Sequence, residues 1–246
     1  MLTAEVLGLT YHRIILESAT ADVTQELKDR YDYSFVVSMG LFSDPDYEVL
    51  QKKSCMIDLT QDLDKIIGNF NSTSRNEYRR SERTEGLVFQ TSYEDFEKYY
   101  TFYAACENDR GWYPVPPDEL KNSFVFSASY HQEFISGMSC YAHEKRLRVS
   151  RIYSLKRSNQ SAALNNTLYG SAAKRIVVEI CKFGIERGYH TLDLGGVDLS
   201  DQVKSGITQF KLSLGGEVAD VKLGRYMKQG FKDALPEIKN KGWDIT

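Results

Sequence analysis

The stretch from residue 124 to residue 194 constrains the fold most. Three strand-like runs, 124–130, 134–142 and 147–155, are separated only by the short polar turns His131-Gln132 and His143-Glu144-Lys145. Turns this short join neighbouring antiparallel strands, so the runs predict a meander. A polar stretch, 156–161, then leads to 168–187, where Ile176, Val177, Ile180 and Phe183 share one helical face. That spacing predicts a long helix ending at Gly188, followed by a short buried strand over 191–194. The pattern as a whole predicts a mixed α/β (α+β) fold, a mostly antiparallel twisted sheet flanked by helices.

The flanking sequence extends the same plan. The runs 33–42 and 55–59 read as strands around a Ser43-Asp44-Pro45-Asp46 turn, so the chain opens as β-structure. Leu63, Ile66, Ile67 and Phe70 recur at helical spacing over 61–70, with Thr60 placed to cap. A second helix is expected from residue 73 or 74 to 83, Gly86 breaks it before a strand over 87–91, and a further helix covers 93–107. Arg110-Gly111-Trp112-Tyr113-Pro114 and the Pro116-Pro117 pair interrupt regular structure and predict a rigid connection with exposed aromatics, a candidate pocket wall. A βαβ-like passage closes the chain: helix over 207–214, a turn at Gly215-Gly216, strand over 218–227 and helix over 229–239. No internal repeat of solenoid period is present.

Composition removes several functions. The 246 residues are 41% hydrophobic and 26% charged, ordinary for a chain that folds on its own. A net charge of -3 gives no overall attraction for DNA or an anionic membrane, so any anion site must be local. Cys55, Cys106, Cys140 and Cys181 lie far apart with no CxxC pairing, which predicts buried free thiols and a reducing cytoplasm. The first twelve residues lack a signal-peptide pattern, and no run approaches a membrane span. His12, His131, His143 and His190 have no metal-ligand spacing and no cysteine joins them in a zinc pattern, so no catalytic metal is expected; the lack of a GxSxG elbow or Walker A sequence removes the commonest hydrolase and NTPase readings.

Two linked motifs carry chemistry. Leu192-Asp193-Leu194-Gly195-Gly196-Val197-Asp198 precedes Gly206-Ile207-Thr208-Gln209-Phe210-Lys211 and Gly215-Gly216, and upstream Asp58-Leu59 precedes a basic segment over 72–83. Together they resemble the FemAB branch of the GNAT acyltransferase superfamily: its DLGGVD turn, its GxxxFKxxxGG and the basic helix after its DL strand. The resemblance spans most of the chain. It implies a GNAT core over 92–246, whose fourth and fifth strands splay to admit a pantetheine arm, beside a partial second GNAT-like unit over 1–91. It further implies attack of an amine on a thioester or ester carbonyl. Full FemAB proteins are longer, and some carry a helical-hairpin arm for tRNA that has no candidate here. Sugar N-acyltransferases of the same superfamily match this length better. The expected reaction is therefore transfer from acyl-CoA to the amino group of a nucleotide-linked, dTDP-type deoxyamino sugar for cell-surface polysaccharide synthesis. The alternatives are an aminoacyl-tRNA-dependent ligase acting on a peptidoglycan precursor and a catalytically silent nucleotide-sugar-binding module. Oligomeric state stays open, with a homo-oligomer among the options.

Site residues follow from position and resemblance. Asp198, in a glycine-flanked loop, reads either as an amine-binding or deprotonating carboxylate or as a loop cap, and is favoured over Asp193, which alternates within its strand. By resemblance Lys211, after Phe210, contacts the donor or steadies the tetrahedral intermediate, and Tyr169 protonates a thiolate leaving group; a solvated lysine and a core tyrosine are the plain readings. Lys156, Arg157, Asn159, Ser161, Asn165, Asn166 and Gly170 occupy the place where GNAT proteins cradle the pyrophosphate of coenzyme A, or form a surface loop and helix cap. Arg75 and Arg79, at i, i+4, with Tyr78 between them, are placed to grip a diphosphate or read as ordinary solvated arginines, and Trp112 and Tyr113 either stack on a base or sugar or are buried against the sheet.

Overall fold

A computed structural model describes residues 1–93, 95–155, 166–200 and 206–245. It begins with a hairpin, β1 (Leu2–Val6) and β2 (Leu9–Leu16), then α1 (Ala21–Arg30), β3 (Tyr33–Ser38) and β4 (Glu48–Asp58). Next come α2 (Leu63–Asn69), α3 (Ser72–Arg83), β5 (Leu87–Gln90), α4 (Phe96–Asp109) and α5 (Pro117–Lys121). The remainder is β6 (Phe124–Tyr130), β7 (Glu133–His143), β8 (Arg146–Ser154), α6 (Asn166–Glu186), β9 (Thr191–Val197), α7 (Gly206–Leu212), β10 (Glu217–Met227) and α8 (Gln229–Asn240).

Local chemistry adjusts several predicted bounds. Thr60 does not cap α2: the Asp58 carboxylate accepts from its N–H at 2.9 Å and its hydroxyl at 2.7 Å, so a turn intervenes and Asp62 becomes the N-cap. Asn71 caps α3 by accepting from the Ser74 N–H, and Asp95 caps α4 by accepting from Lys98. The Pro116-Pro117 pair does not merely interrupt structure. Pro117 opens α5 at its first turn, where a missing N–H leaves nothing unpaired. β4 runs well beyond the predicted 55–59, because its exposed first half is held by pairing with β10 rather than by burial.

All ten strands form one sheet, in the order β1-β2-β3-β10-β4-β9-β8-β7-β6-β5. Among the strands of the described residues, β2 with β3 and β8 with β9 pair in parallel, across α1 and α6 respectively, and the other pairs are antiparallel. Hence β2, β3 and β4 run one way and β8, β9 and β10 the other. The two sets interlock, since β10 lies between β3 and β4 while β4 lies between β9 and β10. The closing βαβ-like passage thus has a strand from the first half inserted in its middle.

The α6 face predicted to be apolar is buried against the sheet together with α2 and α3; Ile176, Val177 and Ile180 are at most 1% exposed. Each side chain contributes about 1.5–3 kcal/mol by leaving water. A second cluster lies under β1, β2, β3 and α8, and a third under α4 and α5. The sheet curls until β2 packs against β7, although five strands separate them in the order. The curl turns the middle of the sheet into the wall of a cavity.

Candidate active site

β2 and β3 stay paired from Tyr11↔Tyr33 to Leu16↔Ser38, but β8 and β9 pair only at Arg146↔Thr191, Leu147↔Leu192 and Arg148↔Asp193 before they diverge. Only the second parallel pair leaves a gap. At its apex Arg148 forms an ion pair with Asp193, and both are buried. Asp193 also accepts from Ser54 Oγ and, at 2.7 Å, from the Gly195 N–H, so its carboxylate is fully engaged within the sheet. Satisfied on all sides, the pair costs less than a bare buried charge and fixes where the strands part.

A cavity of about 780 Å³ opens from this gap. Val149, Leu194, Tyr169, Ala173 and Phe210 border it on the α6 side, whereas Arg13, Phe35 and Tyr141 border it on the face covered by α8. The gap therefore joins the two faces of the sheet, and two molecules entering from opposite sides would meet between β8 and β9.

Lys211 stands at that meeting point. α7 carries it into the cavity, where Nζ donates to the Gly196 carbonyl at 2.8 Å. Burial and the neighbouring Arg148 pull its pKa down to about 8, against the opposing pull of Asp193 and Cys55. Gly195 has a φ of +84°, and a Cβ there would stand 3.3 Å from Lys211 Nζ, so both conformation and space call for glycine. Gly215 answers a different need: its φ is +69°, and a Cβ would come within 2.1 Å of the Asn69 carbonyl oxygen, because α2 ends against this turn. The two motifs are thus one device, in which the first supplies the bend and acceptor and the second brings the lysine.

Other expected site residues separate into groups. Phe210, Tyr169 and Gly170 line the cavity, and Trp112, 57% exposed, stands at its edge. Lys174, buried on α6, donates to Ser213 Oγ at 2.9 Å and places Nζ 3.9 Å from the Phe210 ring centre; burial lowers its pKa to about 8. Asp198 is exposed and outside the lining. It accepts from the Ser200 N–H and hydroxyl, bonds that hold its carboxyl below the ordinary range. Tyr113 is exposed and likewise outside the lining. Arg75 Nη1 donates to the Gly68 and Phe70 carbonyls, closing the end of α2. Tyr78 is buried with its hydroxyl on Glu82 and Arg175 over its ring. Arg79 lines a separate surface depression of about 400 Å³ with Asn76, Arg80, Arg83 and Thr84. Lys156, Arg157, Asn159, Ser161 and Asn165 lie outside the described residues, and Asn166 enters only through its backbone, as the first residue of α6.

Several cavity residues were not anticipated from sequence. Arg13, Arg110, Arg148, Arg151 and Arg225 converge on it with Glu107 and Tyr141. β8, which carries Arg148 and Arg151, also holds Arg146, Ser150 and Ser154, so its sequence does not single these two arginines out. Among the described residues no group of three His, Cys, Asp or Glu side chains is placed to hold a metal, and no helix is long and apolar enough to cross a membrane.

No family model and no curated protein matches the sequence. Solved structures do match. The C-terminal domain of a protein assigned as a lysylphosphatidylglycerol synthetase from Agrobacterium fabrum is similar with a TM-score of 0.57 at 12% identity, over 93% of this chain and 82% of that one. L-PGS from Bacillus licheniformis gives 0.56 at 14%, over 99% and 85%. FemX gives 0.56 at 13%, over 87% and 71%. At 12–14% identity these likenesses show a shared fold, and the splayed β8–β9 pair lies within it.

Proposed function

We propose that the protein is an acyltransferase that moves an acyl group onto an amine within a ternary complex, with Lys211 beside the reacting carbonyl. The observation that carries this reading is the Lys211 Nζ bond to the Gly196 carbonyl inside the opened β8–β9 pair. An ammonium held there, largely out of water, is placed to donate to the oxyanion that forms when the amine attacks, and such donors are worth most where water is excluded.

The donor in this reading is acyl-CoA, which supplies an activated thioester carbonyl from the α6 side, past Gly170 and Phe210. Tyr169 is the group that returns a proton to the leaving thiolate. The acceptor is a nucleotide-linked, dTDP-type deoxyamino sugar entering from the arginine-rich face. Its diphosphate goes to Arg151 and Arg225, which line the cavity, rather than to Arg75 and Arg79, and Trp112 meets its sugar or base. Asp198, outside the lining, is given no part. The division into a core over 92–246 and a partial unit over 1–91 belongs to the same reading, supported by the repeated pattern of a parallel pair flanked by antiparallel strands. So does a cytoplasmic location, supported by four buried free cysteines.

The test is a mass-spectrometric assay of acetyl-CoA with a dTDP-linked amino sugar, preceded by thermal-shift screening against coenzyme A, dTDP and UDP. Product formation, with stabilisation by coenzyme A, is the expected result; a protein that binds the sugar nucleotide and never acylates it is a binding module. A second reading, with an aminoacyl ester as donor, is supported by the matches to FemX and L-PGS. Loss of activity on ribonuclease treatment of the donor mixture would select it.

A further inference from the structure

Glu107, in the cavity wall, has a carboxylate oxygen that accepts no hydrogen bond among the described residues. It sits in the last turn of α4, is 1% exposed, and its Oε2 is buried with no hydrogen bond. Arg110 Nη1 forms an ion pair with Oε1 at 3.7 Å, beyond hydrogen-bond reach. That guanidinium is committed elsewhere, donating from Nη1 to the Ile152 carbonyl at 2.7 Å and lying over the Trp112 ring. Burying a carboxylate without a donor is costly, and a purely structural position would carry glutamine or an apolar side chain instead. The groups facing it are Arg110 on its own element, Arg151 from β8 and Asp244 from the C-terminal segment, with Tyr103 one turn back along α4. Arg225 Nε and the Tyr141 hydroxyl, also in the lining, are likewise buried and unbonded. Polar atoms of both signs are thus left open towards one space, on the side of the sheet away from α6.

We propose that Glu107 receives the amino group of the acceptor and takes its proton. This rests on the acyl-transfer reading and deepens it, naming the acceptor as a primary ammonium compound that also carries an anionic group. The ammonium docks on Oε2 and gives one proton to the carboxylate. The freed lone pair forms the C–N bond with the donor carbonyl carbon. Collapse of the tetrahedral intermediate breaks the C–S bond, Tyr169 gives its proton to the departing sulfur and regains one from the nitrogen, and Glu107 returns its own proton to solvent. One acyl donor and one ammonium become one amide, one thiol and one released proton. Burial raises the pKa of Glu107 against the opposing pull of Arg151 and Arg110, the direction that favours taking a proton. The anionic part of the acceptor lies against Arg151 and Arg225, which pay for its desolvation.

Glucosamine 1-phosphate and glucose 1-phosphate differ at one position, amine against hydroxyl, and are the probes. Calorimetry on the full chain should show the amine bound at least about tenfold tighter, the equivalent of one charge-assisted contact. Glu107→Gln should remove that preference while binding glucose 1-phosphate as before. The same variant should unfold at an equal or higher temperature, because a buried charge whose Oε2 accepts no hydrogen bond is gone; a carboxylate serving the fold through Arg110 and Arg151 would lower it. Equal binding of the two probes, no binding of either, retention of the preference in Glu107→Gln, or a lowered unfolding temperature overturns the proposal. Turnover with acetyl-CoA is read separately. Discrimination without acylation defeats the acyl-transfer reading alone, and acylation at an unchanged rate in Glu107→Gln defeats the role of Glu107 alone.

Discussion

Lys211 holds a charge that its surroundings resist, and its activity should show it. If the ammonium donates to the oxyanion, kcat falls as pH rises through about 8, where Lys211 loses its proton. Lys211→Arg, charged at all working pH values, should lose that limb while keeping some rate, and Lys211→Ala should lose about 100-fold or more. Lys174 titrates near the same value, so Lys174→Met serves as the control in which the limb persists. Stability runs the opposite way: both lysines are less basic folded than unfolded, so the unfolded chain binds more protons above pH 8, and stability rises from there towards the ordinary lysine pKa. Denaturation of wild type against Lys211→Met across that range measures it. At this scale Lys211 and Phe210 were legible because they lie in one short motif beside the glycines that position them. The arginines and Glu107 were not, since they come from β2, α4, β8 and β10, and only the curl of the sheet brings them to one space.

Among the elements, the turn after α7 is the tightest constraint. Gly215→Ala places a methyl group on the Asn69 backbone and strains a left-handed φ, so it should destabilise the protein by about 1–3 kcal/mol or more, read by urea denaturation. Gly68, which has open space at its Cβ position, provides the matched control: alanine there should be neutral or better. The meander, α6 and β9 were legible from periodicity alone. β2 was not, because Tyr11, His12 and Arg13 do not read as a buried run. They are buried because His12 bonds Ser34, and Arg13 meets Glu119 and the Ile245 carbonyl, partners distant in sequence. The β-branched and glycine signals seen locally carry no trace of such pairings.

At the scale of the molecule, β4 and β10 make the two halves mutually dependent. Residues 92–246 expressed alone would lack β4, leaving β9 and β10 without their shared neighbour. Neither 1–91 nor 92–246 should give a cooperative melting transition by itself, whereas mixing or co-expressing them should restore one, as circular dichroism or a pull-down between the halves would show. The interlock also sets a timetable on the ribosome. β3 and β4 emerge early and in succession, yet they cannot close their sheet until β10, which follows every other strand, has left the exit tunnel. Until then the first half waits with open strand edges, and the sheet's slowest step is postponed to the end of synthesis. A nascent chain of this protein is therefore a client for whatever shields unpaired strands, and a synonymous change that slows translation just before β10 should lengthen that exposure and cost yield without altering a single residue.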